Sequence, residues 1–139
     1  MAVTPCIPTQ AKQDFLAGVH LSSNTYKCAL YTQAAATWNA TTPTYSTTGE
    51  LATANGYTQG GFTMTGYTGG NSGTTGYIDW TTDPNWTSSS ITADCAVIYN
   101  SSVSNKIIAI LTFTTATSTN GTWTLQLPAA GASAIITMA

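Results

Sequence analysis

Arginine is absent from this chain, and histidine occurs once, as His20. Charge of either sign is scarce: 6% of the 139 residues are charged, against about 25% in an ordinary soluble protein. The cations are Lys12, Lys27 and Lys106, and the acids are Asp14, Glu50, Asp79, Asp83 and Asp94. Each scarcity excludes a kind of work. Without arginine there is no planar fork to clamp a phosphate or carboxylate. Three scattered lysines cannot neutralise a nucleic-acid backbone, so nucleic acid is not an expected partner. The Gly-rich stretch contains no basic residue, which rules out a phosphate-cradling loop. No apolar run is long enough to span a membrane, and Met-Ala-Val-Thr-Pro at the start lacks the basic and apolar regions of a leader. The expectation is a chain made and folded in a cytoplasm, with no membrane partner.

Cysteine is also sparse. Cys6, Cys28 and Cys95 are odd in number and widely spaced, which is neither a disulfide framework nor a zinc pattern. Cys28 and Cys95 sit in apolar runs and read as small buried hydrophobes; a bridge between them is compatible with the sequence but not required. Catalytic groups are no better supplied. His20 has no carboxylate or nucleophile near it in sequence to complete a triad, and reads as a helix-end imidazole. Asp79 and Asp94 are the least poor pair for glycoside hydrolysis, but isolated carboxylates at strand ends are usually solvated or cap turns. Asp79, Asp83 and Asn85 are close enough in sequence to suggest a calcium loop, yet an Asp-Pro-Asn turn accounts for two of them. No catalytic, cofactor-binding or metal-binding residue is therefore assigned, and binding rather than catalysis is the expected mode of action.

Hydroxyls and aromatics fill the space that charge leaves. Of the 139 residues 29 are Thr, and the chain holds four Trp and seven Tyr. A hydroxyl-rich surface loses less side-chain entropy than a charged one when a partner covers it. The length is that of one domain. Thr9 to Gly18 is the one good helix, with Thr9 as cap, Gly18 as stop, Ala11, Phe15, Leu16 and Val19 on one face, and Lys12 and Asp14 opposite. Strands are expected at Tyr26–Thr32, Phe62–Tyr67, Tyr77–Trp80, Ile91–Tyr99, Lys106–Thr115, Thr122–Leu127 and Ile135–Met138, with Cys95, Val97 and Tyr99 sharing a face. Gln33 to Asn55 reads as a long polar connection with a helical turn near Thr47 to Leu51. Thr68 to Gly76 reads as a turn or flexible loop. Seven or eight short strands with regular turn signals and one helix predict a mainly β fold, an antiparallel β-sandwich of jelly-roll type.

The predicted organisation is an N-terminal arm, residues 1–8, and a single jelly-roll-like β domain, residues 9–139. Val3 and Ile7 suggest that the arm orders on a neighbouring subunit. Trp80 and Trp123 read as core. Trp86, following a turn, reads as the exposed tryptophan, available to a protein surface or a sugar. Together with Tyr67 these residues, Val3, Ile7 and Trp86, are the expected interface.

Four segments, Tyr26–Thr32, Gly56–Gly61, Ala96–Asn100 and Asn105–Lys106 running into Ile107–Phe113, resemble in order and spacing the capsid cement (decoration) proteins of tailed bacteriophages. The resemblance covers roughly residues 15–127. It implies a jelly-roll homodimer on the outer surface of an icosahedral head, bridging major capsid subunits, with no catalytic residues. The low charge and the Gly69 to Gly76 stretch depart from some members of that family. The alternative is a phage tail or fibre domain that contacts a host receptor or carbohydrate.

Overall fold

The computed structural model describes residues 3–139. The chain is mainly β, with antiparallel strands and one short helix. Helix α1 (Thr9–Leu16) is followed by β1 (Tyr26–Tyr31), β2 (Phe62–Thr63), β3 (Tyr67–Ser72), β4 (Thr75–Trp80), β5 (Asn85–Ser89), β6 (Thr92–Asn100), β7 (Lys106–Thr117), β8 (Gly121–Thr124) and β9 (Ile136–Met138). The strands form a four-stranded sheet, β2-β1-β6-β7, a three-stranded sheet, β3-β4-β9, and a two-stranded ribbon, β5-β8.

Strands β1 and β6, and β7 over Ile107–Ile110, are buried on both faces, and their side chains divide between two cores. Tyr26, Cys28 and Leu30 of β1, with Ala96 and Ile98 of β6, enter the larger core. Ala29 and Tyr31, with Cys95, Val97 and Tyr99, enter the smaller one. The period of two dictates this division. It also decides the cysteines: Cys28 and Cys95 lie on neighbouring strands but face opposite sides of the sheet, and all three cysteines are free thiols. In β7 the register shifts beside the Ile98–Tyr99 pairings, and Ile108 and Ala109 both join the larger core while Ile107 and Ile110 join the smaller. A bulge of this kind flips the parity of every residue beyond it.

The larger core lies between the main sheet and the two smaller ones, which contribute Trp80, Trp86, Trp123 and Ile136, with Leu125 added from the chain just after β8. Layers of sheet with a shared interior are compatible with the expected sandwich. The opposite face of the main sheet is closed by Ala36, Trp38 and Tyr45 of the long connection and by Val3 and Cys6.

Several local expectations change. The Gly-rich stretch is not a loop: Gly69 and Gly70 pair with Ile78 and Tyr77 in the β3–β4 hairpin, and only Gly73 and Thr74 turn. Glycine reads as a breaker, but at an exposed sheet edge the ladder bonds need no side chain. Strand β5 falls in a Ser/Thr segment without periodicity, and is held by its pairing with β8. Near Thr47 to Leu51 there is a turn, not a helix, with the Glu50 amide bonded to the Thr47 carbonyl. In α1 the cap position is Pro8, not Thr9, and no side chain caps it. Gly18 does stop the helix. At φ 71° it lets its own N–H reach the Phe15 carbonyl and that of Val19 reach Asp14, a Schellman arrangement.

Candidate functional site

The acidic side chains turn inward. Among three lysines and five acids, only Lys12 is well exposed. Lys27, Lys106, Asp83 and Asp94 are half-buried, and Asp14, Glu50 and Asp79 are buried. Each of the acids has work inside the fold. Asp94 accepts the Gln33 N–H at 2.6 Å and the Thr115 hydroxyl at 3.3 Å. Asp83 accepts the Leu127 N–H at 2.9 Å. Glu50 accepts the phenols of Tyr45 and Tyr57. What remains outside is Thr, Ser, Asn and Gln, interrupted by Leu16, Leu21 and Met138, which are 78%, 51% and 57% exposed. Next to Met138 a groove of about 310 Å³ runs between Phe15 of α1 and Tyr77, Ile78 and Ile136 of the three-stranded sheet. The exposed surface is thus hydroxyl-rich with an apolar groove, and it carries almost no field to steer a partner from a distance.

Asp14 corrects the helix reading. It was expected opposite the buried face, yet it is 4% exposed, and Leu16 takes the outward position. The cause lies in β7, which places Lys106 Nζ 2.9 Å from Asp14 Oδ2, while Gln10 Nε2 donates to Oδ1 at 3.0 Å. Burial by itself would raise the Asp14 carboxyl; the hydrogen bonds from Lys106 and Gln10 and the positive charge of Lys106 and His20 hold it below the usual carboxylate range. His20 is drawn into this group. Asn100 Nδ2 donates both to Asn24 Oδ1 at 2.8 Å and to His20 Nδ1 at 3.1 Å, which leaves the imidazole proton on Nε2. That atom is enclosed without a hydrogen-bond partner, 3.9 Å from Asp14 Oδ2. The trio is a strut between α1 and β7, and among the described residues no nucleophilic hydroxyl or thiol is bonded to it.

The strut makes stability depend on pH. Burial pushes the His20 imidazole below its ordinary value of 6.5; Asp14 partly opposes this and Lys106 adds to it. Above that value His20 is neutral in both folded and unfolded chains. As pH falls below it the unfolded chain takes up a proton that the folded chain resists, and stability is lost. Asp14 acts in the same direction in a lower window, below its ordinary 3.8. Denaturant unfolding measured from pH 7.5 to 5 is expected to show falling stability, and His20→Gln should flatten that slope. An unchanged slope in the variant would show that His20 is not the group responsible.

The expected interface residues are placed as follows. Val3 is 7% exposed and packs in the smaller core. Cys6 pairs with Ile110 of β7, and Ile7 packs against the larger core. Residues 3–8 are therefore part of the domain and not a free arm, because β7 offers an open edge that they cover; Met1 and Ala2 lie outside the described residues. Tyr67 is half-buried, its ring 5.8 Å from Tyr26 and 5.7 Å from Trp80. Trp86 is 8% exposed, on β5, against Trp123 at 5.6 Å. All four tryptophans are buried, so Trp86 is not the exposed tryptophan that its place after a turn suggests, and its ring is not available to a sugar or a protein surface. Asp79 and Asp94 belong to different sheets and have separate partners, so the structure does not pair them. The exposed Leu16, Leu21 and Met138 were not singled out in the sequence, where apolar spacing assigns Leu16 to the buried face.

Compared with known proteins, the chain matches no family model, no curated protein and no solved structure.

Proposed function

We propose that this chain is a structural virion protein that binds the outer surface of an icosahedral phage head and stabilises it by bridging major capsid subunits, acting as a homodimer and without catalysis. The observation that carries the reading is the inward placement of the acidic side chains, which leaves a hydroxyl-rich exterior. Such a surface can be covered by neighbours with little desolvation of ions, and its contacts should be insensitive to salt. The resemblance in residues 15–127 names the neighbours. Among the described residues no helix is long and apolar enough to cross a membrane. Apolar contact contributes about 25 cal/mol per Å², and a modest contact repeated on every subunit seam resists internal pressure across the whole head.

Purified particles test this in two ways. By densitometry the protein should be present at a copy number comparable to the major capsid subunit; a few copies per particle would place it in a tail or fibre instead. Particles stripped of it should rupture at lower temperature and on milder osmotic shock than complete ones, and re-addition should restore them. Equal resistance with and without the protein would end the cement reading.

A further inference from the structure

A sheet edge leaves a row of main-chain donors and acceptors without partners, and proteins shorten, bulge or cover such an edge. Most edges of this molecule are treated in one of these ways. β2 and β9 have two and three residues. β7 is crossed by Cys6 at Ile110 and by Thr44 at Lys106, and its register with β6 shifts beside Cys95 and again beside Tyr99. The β5–β8 ribbon is interrupted by a shift between Trp86 and Ser89. β3 has none of these devices. It pairs with β4 without a shift, from Tyr67 opposite Trp80 to Ser72 opposite Thr75. It contains neither lysine nor proline, and residues 69–72 are exposed.

The ladder decides which groups face out. Hydrogen-bonded pairs recur at every second residue of an antiparallel ladder. Just before β3 the Gly66 carbonyl accepts the Thr81 N–H at 2.9 Å. Thr68, Gly70 and Ser72 therefore turn their N–H and C=O toward β4, and Gly69 and Asn71 turn theirs to the open side. Among the described residues no main-chain partner reaches Gly69 or Asn71 there. Side chains leave the strip clear. Gly69 and Gly70 have none, and Tyr77 lies over Gly70 so closely that a Cβ there would stand 3.0 Å from its Oη. Charge is absent too: no charged residue lies between Glu50 and Asp79, and Asp79 is 1% exposed.

We infer that β3 is a dimerisation edge, taken by the β3 of a second copy in antiparallel pairing about a two-fold axis at Gly70. Such a contact is isologous. Gly70 stands opposite its own counterpart as a non-hydrogen-bonded pair, with Cα atoms about 4.5 Å apart. Gly69 stands opposite the counterpart of Asn71, and Asn71 opposite that of Gly69. These flanking pairs are hydrogen-bonded, so the outward N–H and C=O of both residues are satisfied in both copies. Charge argues for this occupant over a foreign strand. In an ordinary protein about a quarter of residues are charged, and the neutral hairpin has nothing to pair with them. Its own sequence brings no charge and sets a glycine against each asparagine, so the two backbones can close. The two-fold also consumes the edge, because each three-stranded sheet becomes half of a continuous one joined at β3. The two Tyr77 rings then lie over the paired glycines on one face and give them the aromatic cover that edge glycines lack. One strand pair is smaller than the contact of about 800 Å² per partner that a stable dimer makes, so the affinity should be micromolar or weaker. Edge pairing locates the homodimer of the proposed function and rests on that part of it alone, since it needs no shell.

Sedimentation equilibrium of the isolated chain should show monomer and dimer exchanging in the micromolar range. Gly69→Pro removes one outward N–H from each copy and none from the β3–β4 ladder, and should raise the dissociation constant by about tenfold or more. Asn71→Lys and Asn71→Asp each set like charges diagonally across the axis and should each weaken the dimer, most at low salt. Mixed in equal amounts, the two should associate at least as tightly as the unaltered chain, a rescue that damage to the monomer's fold would not produce. If Gly69→Pro fails to fold, the Asn71 pair decides. A chain that stays monomeric into the millimolar range would overturn the pairing together with the homodimer, while copy number on particles still tests the shell separately. A dimer left unchanged by Gly69→Pro and by both Asn71 variants would overturn the edge alone, because the copies then meet elsewhere.

Discussion

Trp86→Ala is expected to lower the free energy of unfolding by about 3–5 kcal/mol, the range for removing a large aromatic side chain from a packed interior. Trp86 is the point where three pieces of chain meet. Its ring lies 5.7 Å from Tyr57 of the long connection, 5.9 Å from Phe62 of β2 and 5.6 Å from Trp123 of β8. Truncation opens a void that none of these can fill without leaving its own partners: Trp123 donates its ring N–H to the Ala116 carbonyl at 3.1 Å, and Tyr57 is bonded to Glu50. A domain of this size is stable by about 5–15 kcal/mol in all, so the loss is a large fraction. Urea unfolding should show a lower midpoint with an unchanged slope, and Trp86→Phe should recover about half of the loss. A change below about 1 kcal/mol would mean that the ring is free in solution and that β5 does not pack as described. The same variant is a poor probe of sugar or protein recognition, because any loss of binding would follow from loss of the fold.

Trp86 also shows where reading a sequence stops. The alternation Tyr26, Cys28, Leu30 against Ala29 and Tyr31 announces β1, and Cys95, Val97, Tyr99 announces β6, because central strands keep a strict period of two. The stretch Trp86-Thr87-Ser88-Ser89 has no such alternation: Thr87 and Ser88 are both exposed, and the register with β8 shifts between Trp86 and Ser89. A bulge hides a strand from any test of periodicity. Asp14 failed for a different reason. Its burial is set by Lys106, 92 residues away in sequence, and a partner at that distance leaves no local trace. The calcium-loop reading of Asp79, Asp83 and Asn85 falls between these cases: the three are near neighbours in sequence, but Asn85 turns to the Asp83 carbonyl, Asp83 is taken by the Leu127 N–H and Asp79 by the Trp80 N–H.

Glu50→Ala is expected to cost about 3–4 kcal/mol, from hydrogen bonds to a charged group worth about 1.5–3 kcal/mol each, and to loosen the long connection before the rest of the chain. One carboxylate there serves three donors: Tyr45 Oη at 2.5 Å on Oε2, and Tyr57 Oη at 2.6 Å with the Gly60 N–H at 2.8 Å on Oε1. Burial, and then the hydrogen bond to Glu50, push both phenols above their ordinary value, so they remain donors at any working pH. Tyr57 Oη in turn accepts the Leu30 N–H at 2.9 Å, which ties the connection to β1. The Gly60 carbonyl accepts the Tyr99 phenol at 2.7 Å, which ties it to β6. Gly61 follows at φ 82° with its Cα so close to β1 that a Cβ there would meet the Cys28 carbonyl oxygen. The segment therefore lies on the main sheet with no room for slack, and Glu50 is its clasp. Alanine leaves the buried Tyr57 hydroxyl without its acceptor, whereas the Gly60 N–H and Tyr45 are half-buried and can turn to water. Glu50→Gln keeps the shape but turns one acceptor into a donor facing a phenol, and should cost about half as much. Pairing Glu50→Gln with Tyr57→Phe in a double-mutant cycle should show coupling of about 1–2 kcal/mol. Hydrogen exchange separates local from global loss: in Glu50→Ala the Gly60 and Leu30 amides should lose protection well before the amides of the β6–β7 ladder. Uniform loss across the sheet, or a cost below about 1 kcal/mol, would show that stacking of Tyr45 on Tyr99, at 4.1 Å and nearly parallel, and the burial of Trp38 hold the connection without the carboxylate.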